Sequence, residues 1–178
     1  MAHPHRPQSA LAAAIVVMLA IAAATVLAQN GNLPNPYHEV ANWAKLPAGA
    51  KWGGVISVDP AANGNIWVFH RSDPPLLRFD PSGKVVKSFG DGMFVQPHGM
   101  TLDRQGNVWV TDAQSKDGKG QQVFKFSPEG KVLMTLGKAG VAGGGTDVFS
   151  GPCDVVIGRN GDIFVADGHI AEIGRAHV

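Results

Sequence analysis

Apolar and polar positions along this chain recur in one order, and the order appears three times. Val55-Ile56-Ser57-Val58-Asp59 is followed by Gly64-Asn65 and then Ile66-Trp67-Val68-Phe69-His70. Gly99-Met100-Thr101-Leu102-Asp103 is followed by Gly106-Asn107 and Val108-Trp109-Val110-Thr111-Asp112. Asp154-Val155-Val156-Ile157-Gly158 is followed by Gly161-Asp162 and Ile163-Phe164-Val165-Ala166-Asp167. Each is a short apolar strand, a glycine turn and a second strand with an aromatic residue in the same place. A further match joins Leu77–Gly90 to Val123–Gly137, two alternating strands around Pro81-Ser82-Gly83 and Pro128-Glu129-Gly130. Proline presets φ for such a turn, and glycine accepts the positive φ at its exit. The repeating unit is therefore four strands, here a, b, c and d.

The spacing fixes the architecture. Trp67 and Trp109 are 42 residues apart, and Gly83 and Gly130 are 47 apart, so the second unit has an insertion between b and c, at Ser115–Gly120. Phe164 follows Trp109 by 55 residues because the link containing Gly143-Gly144-Gly145 is longer as well. Four-stranded units of roughly 40–45 residues are propeller blades. The chain is thus all-β, a β-propeller of which about two and a half blades are present, at 54–90, 97–137 and 152–171. The β-branched and aromatic residues of a and b predict strands buried on both faces.

Charge changes the picture little. Lys and Arg number 15 against 14 Asp and Glu, which leaves no electrostatic footprint for nucleic acid. Residues 1–28 have a short, weakly basic start, an unbroken apolar run from Leu11 and a small-residue site at Val26-Leu27-Ala28. That is the pattern of a cleaved signal peptide and predicts an exported protein, periplasmic or secreted, with no membrane contact after cleavage. An uncleaved anchor is the alternative, since the run is just long enough to span. His3 and His5 fall in this segment and are set aside as metal ligands. Residues 29–53, with Trp43 and Trp52, form an irregular lead-in expected to pin its aromatics against the first blade. Cys153 is the single cysteine, so no disulfide forms within the chain. The segment Glu172–Val178 lacks strand or turn logic and matches one reading frame of a sequencing-library adapter. The expectation is that the chain is a fragment ending within a repeat, and that its uncovered faces make it aggregation-prone.

At Phe69-His70-Arg71 and Pro97-His98-Gly99-Met100 the sequence resembles the NHL-repeat proteins, and within them the peptidyl-α-hydroxyglycine α-amidating lyases. The resemblance runs from about Val55 to His169 and includes Asp59-Pro60, Trp109-Val110-Thr111-Asp112, Val123-Phe124-Lys125 and Asp167-Gly168. It implies a six-bladed propeller with zinc and calcium in its central channel, which splits peptidyl-α-hydroxyglycine into a peptide amide and glyoxylate. By resemblance, His98 matches the first of three zinc-binding histidines and Arg71 matches an active-site arginine. The carbonyls of Ile56 and Met100 match backbone calcium contacts. Two departures stand out. His169 lies where the family has its catalytic tyrosine, and Ser150 and Ile170 lie where it has a disulfide. The remaining zinc histidines would fall in blades beyond these, so the fragment itself is expected to be inactive.

Each candidate has a plainer reading. His98 would otherwise be a hydrogen-bonded structural histidine, because one imidazole cannot hold zinc. Arg71 can clamp a substrate carboxylate or pair with Asp73 at the surface. His169 can act as a replacement base or be a loop histidine. Cys153, at the repeat position of His98, reads as a small buried thiol. His70, Asp112 and Asp167 share one slot at the end of strand b and read as structural groups bonded to the b–c turn. Gly143-Gly144-Gly145 has no Lys-Ser/Thr pair after it and is a flexible link, not a phosphate loop. Lys116, Asp117 and Lys119 read as a solvated loop tip.

Two function classes follow. The first is a metal-dependent lyase in the full-length protein, acting on a small-molecule or peptide substrate. The second is a non-catalytic NHL propeller binding a peptide, protein or carbohydrate on one ring face. A propeller hydrolase or lactonase is a weaker third and would need acidic metal ligands in the channel. The fold does not choose among them, because function lives in the grafted site. Oligomeric state is left open.

Overall fold

Three antiparallel sheets follow one another along the chain. The first holds β1 (Val55–Pro60), β2 (Ile66–His70), β3 (Leu76–Phe79) and β4 (Val85–Phe89), and the second β5 (Pro97–Leu102), β6 (Val108–Lys116), β7 (Lys119–Phe126) and β8 (Val132–Leu136), each paired in chain order. The third holds β9 (Pro152–Ile157), β10 (Ile163–Asp167) and β11 (Arg175–His177), with β10 in the middle. The computed structural model describes residues 35–168 and the backbone of 175–177. The expected signal segment 1–28, His169 and Ile170 lie outside the described residues. The chain divides into two units, Met1–Val40 and Ala41–Val178. Of the first, residues 35–40 are described, and they are exposed. The second carries the sheets.

The a–b turns fix the true register of the repeat. Gly64, Gly106 and Gly161 donate their N–H groups to the carbonyls of Ala61, Asp103 and Gly158 at 2.9–3.0 Å. Those three residues are therefore equivalent, and so are Ile56, His98 and Cys153. The apolar pattern aligns Val55 with Gly99, whereas the turns align Ser57 with Gly99. The discrepancy of two residues leaves the alternation of a strand unchanged, so hydrophobicity alone cannot detect it.

Two further expectations are corrected. The insertion at Ser115–Gly120 is not a loop. It lengthens β6 and β7 into a hairpin, with Ser115 opposite Gly120 and Lys116 opposite Lys119. Asp117 (φ 50°) and Gly118 (φ 74°) make the turn, the Asp-Gly pair that suits a two-residue hairpin with positive φ at both positions. The segment read as lacking strand logic includes β11, whose backbone pairs antiparallel with β10, Ala176 opposite Ala166.

The sheets stack face to face. One core joins Trp67, Phe69 and Leu76 of the first sheet to Met100, Val108, Val110, Phe124 and Phe126 of the second. Phe89 and Phe94 bridge them, with ring centroids 5.2 Å from Phe126 and 5.5 Å from Phe124. Each such pair adds about 0.5–1.5 kcal/mol beyond the area it buries. A second core joins Trp109 and Val123 to Phe149 of the link before β9 and to Val155 and Val165 of the third sheet. Strand b is buried on both faces as predicted in the first two sheets, but β10 is buried only at Val165 and Asp167, and β1 is largely half-exposed or exposed. An innermost strand faces a channel on one side and so lacks part of its cover.

The lead-in covers the remaining face of the first sheet. Trp43, Ala44 and Leu46 pack on Val68, Leu77 and Phe79. Trp52 stacks on Phe79 at 5.9 Å and meets the His70 ring edge-on at 5.3 Å. Lys45 N–H donates to Gly83 O at 2.8 Å.

Repetition extends to charge. Arg78 lies 5.3 Å over Trp67, and Lys125 lies 5.0 Å over Trp109. In the second sheet an aspartate at the turn joins the pair. Asp103 Oδ2 accepts from Lys125 at 3.1 Å and from Trp109 Nε1 at 3.2 Å, and both its oxygens accept from Asn107. Burial alone would raise this carboxyl, but the hydrogen bonds from Asn107, Lys125 and Trp109 outweigh it and hold the pKa at about 2. The shift is worth about 2 kcal/mol at neutral pH, present above the unfolded pKa of 3.8 and lost as pH falls towards about 2.

Gly83 tests the packing of the lead-in. It has φ 80°, and a Cβ there would sit 1.7 Å from Trp43 O; Gly106 has φ 79° with nothing within 4 Å. Gly106→Ala is expected to cost about 1–2 kcal/mol, the left-handed backbone penalty alone. Gly83→Ala should cost at least about 2 kcal/mol more, because backbone must shift. Urea unfolding midpoints measure both. Equal losses would mean that the lead-in does not rest on Gly83.

Candidate functional site

The last residue of strand b fixes where strand a begins. Gly53 N–H donates to His70 Nδ1 at 3.1 Å. Val95 and Gln96 N–H donate to the two oxygens of Asp112 at 2.9 and 2.6 Å, and Ser150 N–H donates to Asp167 Oδ1 at 2.7 Å. The structural role expected for this slot holds, but its shared partner is the segment entering strand a, not the b–c turn. His70 also reaches that turn, through Pro74 O at 3.0 Å. The geometry is simple: in an antiparallel pair the end of b lies beside the start of a. Val55, Pro97 and Pro152 stand directly opposite His70, Asp112 and Asp167.

Immediately after that anchor each inner strand bulges. The register shifts fall between Val55 and Ser57, between Pro97 and Met100, and opposite the Ala166–Asp167 step, where Cys153 is the skipped residue. A bulge takes a residue out of the ladder and re-aims it. The residues so treated are Ile56, His98 and Cys153. Together with Ser57, Gly99 and Asp154 they line one cavity of about 400 Å³ on the channel side of the sheets.

Close approach of the strands sets the wall of this cavity. A Cβ on Gly99 would lie 2.7 Å from Asp154 Cα and from Cys153 O, so only glycine allows β5 and β9 to meet there. Gly99 N–H is held by Thr111 Oγ1 at 2.7 Å. His98 Nδ1 lies 2.7 Å from Cys153 O. A carbonyl only accepts, so Nδ1 carries a proton. β1 is tied to β5 by Ser57 Oγ donating to Met100 O at 3.2 Å and by Leu102 N–H donating to Asp59 Oδ2 at 2.8 Å.

Arg71 follows strand b of the first blade and is exposed. Its Nε donates to Pro97 O at 3.2 Å, the carbonyl just before His98. Two blades thus bring the guanidinium and the imidazole onto one backbone turn. Arg71 also lines a cavity of about 190 Å³ with Ser72, Asp73, Pro75, Phe94, Val95 and Pro97. The surface pairing with Asp73 is not made: among the described residues the ion pairs are Lys125–Asp103 and Lys138–Asp147. Asp73 instead accepts from Gly92 N–H at 3.1 Å.

Cys153 is half-buried rather than buried, and its thiol donates to Ala166 O at 3.3 Å. Burial, with help from the Asp154 carboxylate, pushes the thiol pKa up, away from thiolate chemistry. The Gly143–Gly145 link folds back on itself, with Gly143 N–H donating to Phe149 O at 2.9 Å.

His98 offers a nitrogen whose tautomer is fixed by a hydrogen bond on the other nitrogen, the usual preparation of a ligating histidine. Ile56 stands at a bulge and Met100 O accepts from Ser57 Oγ at 3.2 Å, whereas calcium takes six to eight oxygens. Among the described residues no group of three or more His, Cys, Asp or Glu could hold a metal ion. Ser57 and Asp154 were not singled out from sequence. Their signal was position alone: each follows the residue equivalent to His98, a relation that the slipped register hid for Ser57.

No protein-family model matches the chain. Among known proteins, peptidyl-alpha-hydroxyglycine alpha-amidating lyase 1 of Drosophila melanogaster is 35% identical over 147 residues, covering 67% of this chain and 26% of that protein. Probable peptidyl-alpha-hydroxyglycine alpha-amidating lyase pgal-1 of Caenorhabditis elegans is 44% identical over 87 residues, covering 48% of this chain and 23% of that protein. A virginiamycin B lyase structure from Staphylococcus aureus aligns at 17% identity with a TM-score of 0.49, covering 72% of this chain and 41% of that one. Four-stranded antiparallel blades in sequence, with a repeated inner-strand site, define part of a β-propeller. The chain resembles the peptidyl-alpha-hydroxyglycine alpha-amidating lyases, and it spans about a quarter of the length of these curated relatives.

The His70 anchor carries a pH prediction. Gly53 donates to Nδ1, so the ring is neutral with its proton on Nε2. Burial lowers the pKa below 6.5, against the opposing pull of the Pro74 carbonyl and Asp73. The folded state therefore binds the proton less readily than the unfolded chain. The stabilisation is complete above the unfolded pKa and is lost as pH falls through the folded one. The expected result is a urea midpoint that drops between about pH 7.5 and about pH 5 more steeply in the parent than in His70→Asn, which keeps an acceptor for Gly53. NMR should show His70 titrating below 6.5. Titration above that value would contradict the assignment.

Proposed function

We propose that this chain contributes part of the active site of an exported, metal-dependent lyase that splits a peptidyl-α-hydroxyglycine into a peptide amide and glyoxylate. The activity belongs to the complete ring, of which these blades are a portion. The observation that carries the reading is the convergence of Arg71 and His98 on the Pro97 turn from neighbouring blades.

The reaction needs a carboxylate held, a hydroxyl deprotonated and a C–N bond broken with a proton returned to nitrogen. Arg71 suits the first task. Its Nε is committed to Pro97 O, which orients the plane and leaves the two terminal nitrogens as the edge able to take a carboxylate in the fork geometry. His98 would be one zinc ligand through Nε2, and the carbonyls of Ile56 and Met100 would contribute to a calcium site. When bound, zinc supplies Lewis-acid polarisation of the substrate hydroxyl. Phe94 and Pro75 form the apolar side of the Arg71 cavity, which strengthens a charge contact there by excluding water. The base is not among the described residues; His169 is the candidate the sequence offers for it.

The test is glyoxylate release from an N-acyl-α-hydroxyglycine by protein in which this segment is joined to the rest of its ring, supplied with zinc and calcium. Arg71→Ala should lower kcat/KM roughly 10- to 100-fold, mainly through KM, the magnitude of a lost hydrogen bond to a charged group. His98→Ala should cost zinc affinity as well as rate. The chain alone should release none. Absence of activity in the complete ring, with both metals bound, would sink the lyase reading in favour of a binding propeller.

A further inference from the structure

The residue after the slot is gripped in the same way in all three sheets. Arg71, Ala113 and Gly168 donate their N–H groups to Gly54 O, Gln96 O and Gly151 O at 3.0–3.1 Å. These three residues are therefore equivalent, and Arg71 is the one that carries a charged side chain. The residues just before those carbonyls are Gly53, Val95 and Ser150. Glycine at the first of them has a reason. A Cβ on Gly53 would lie 2.4 Å from both C and O of Arg71 and 2.7 Å from Ser72 N. The segment entering β1 thus presses its backbone directly on the Arg71 peptide.

The slot residue changes in the same sheet. Asp112 and Asp167 fill the slot in the second and third sheets and accept from the entering segment. A carboxylate only accepts, so it cannot also serve a carbonyl. His70 does both. Nδ1 accepts from Gly53 N–H at 3.1 Å, and Nε2–H donates to Pro74 O at 3.0 Å. Its own backbone N–H donates to Pro75 O at 3.0 Å. One ring therefore joins the segment that lies on Arg71 to the turn that follows Arg71. Asp73, within that turn, is tied further by accepting from Gly92 N–H at 3.1 Å. The arginine side chain is set by Nε donating to Pro97 O at 3.2 Å. His70 is 2% exposed, so substrate does not reach it and it acts only through its neighbours. At these three positions the histidine, the close-packed glycine and the guanidinium occur together, in the first of the three sheets and in neither of the others.

We propose that His70 is a positioning residue for Arg71. Its ring clamps the two backbone segments on either side of Arg71 and so aims the guanidinium. This role rests on Arg71 being the group that takes the substrate carboxylate. Each of the two ring bonds can be removed separately. Asn places an acceptor where Nδ1 lies, and Gln places a donor where Nε2 lies. His70→Asn therefore keeps the bond to Gly53 and loses the one to Pro74, and His70→Gln does the reverse.

In the complete ring, assayed by glyoxylate release, each variant should raise KM roughly 3- to 10-fold, the magnitude of one lost hydrogen bond, with kcat within about twofold. Added to Arg71→Ala, neither should raise KM further, because a group that acts through Arg71 has nothing left to place. Nuclear magnetic resonance on the same ring gives a reading without turnover. The Arg71 Nε–H should resist solvent exchange in the parent and lose that protection in both variants, while the amides of β2 and β3 keep theirs. Unchanged Nε–H protection, or a KM increase that persists in full on the Arg71→Ala background, would overturn the proposal. Loss of protection across β2 and β3 as well would also overturn it, since His70 would then only hold the sheet. If the parent ring releases no glyoxylate, the lyase reading falls, and the Nε–H signal alone decides whether His70 places Arg71.

Discussion

The hydrogen bond from the end of strand b to the segment entering strand a is the constraint on which the rest depends. It recurs as His70 to Gly53, Asp112 to Val95 and Gln96, and Asp167 to Ser150. These N–H groups sit in connecting segments, where no ladder partner is offered, and an unpaired buried donor is costly. The bond therefore does two things at once. It satisfies the connection, and it fixes the residue at which the inner strand starts. The slot residues are all but fully buried, which shields the bonds from water. Burial pushes the Asp112 carboxyl pKa up while the two backbone donors pull it down, so this anchor is a balance of opposing terms.

The bulge that follows turns this anchor into a site. One step beyond each anchor, Ile56, His98 and Cys153 leave the ladder and turn to a common cavity. The same position thus holds an aliphatic residue, an imidazole and a thiol in successive blades, so a propeller can vary its channel chemistry without altering its blades. Arg71 reaches the same place from outside the ladder by bonding Pro97 O, next to the bulge. The proposed lyase chemistry rests on that convergence, and the identity with amidating lyases of flies and nematodes supports it.

Much of the fold was legible because glycine turns and aromatic positions repeat at fixed spacing. The a–b turns, the Pro-x-Gly turns and the four-strand unit follow from residues such as Gly64, Gly106, Gly83 and Gly130. Register in the first inner strand was not legible from the alternation, since a shift of two residues preserves it; the 42-residue spacing of the glycine turns, and the hydrogen bonds at Ala61, Asp103 and Gly158, decide it. The longer hairpin of β6 and β7 was missed because its residues are polar and exposed, although Asp117-Gly118 carried the turn signal. His98 and Arg71 stood out through local motifs. Ser57 and Asp154 did not, because their place in the cavity comes from the bulges and from the close approach at Gly99. Gln121 was equally hidden. It is buried with φ 57°, and it holds Gly151 N–H at 2.7 Å, a link between blades that no local pattern announces.

Amide hydrogen exchange on the native chain tests the central claim most directly. The account predicts that Gly53, Val95, Gln96 and Ser150 exchange as slowly as the adjoining strands β1, β5 and β9, although they lie in connecting segments. Each should lose its protection together with its own strand when the sheet opens. Exchange of these four amides at the rate of open loops, with the strands still protected, would contradict it.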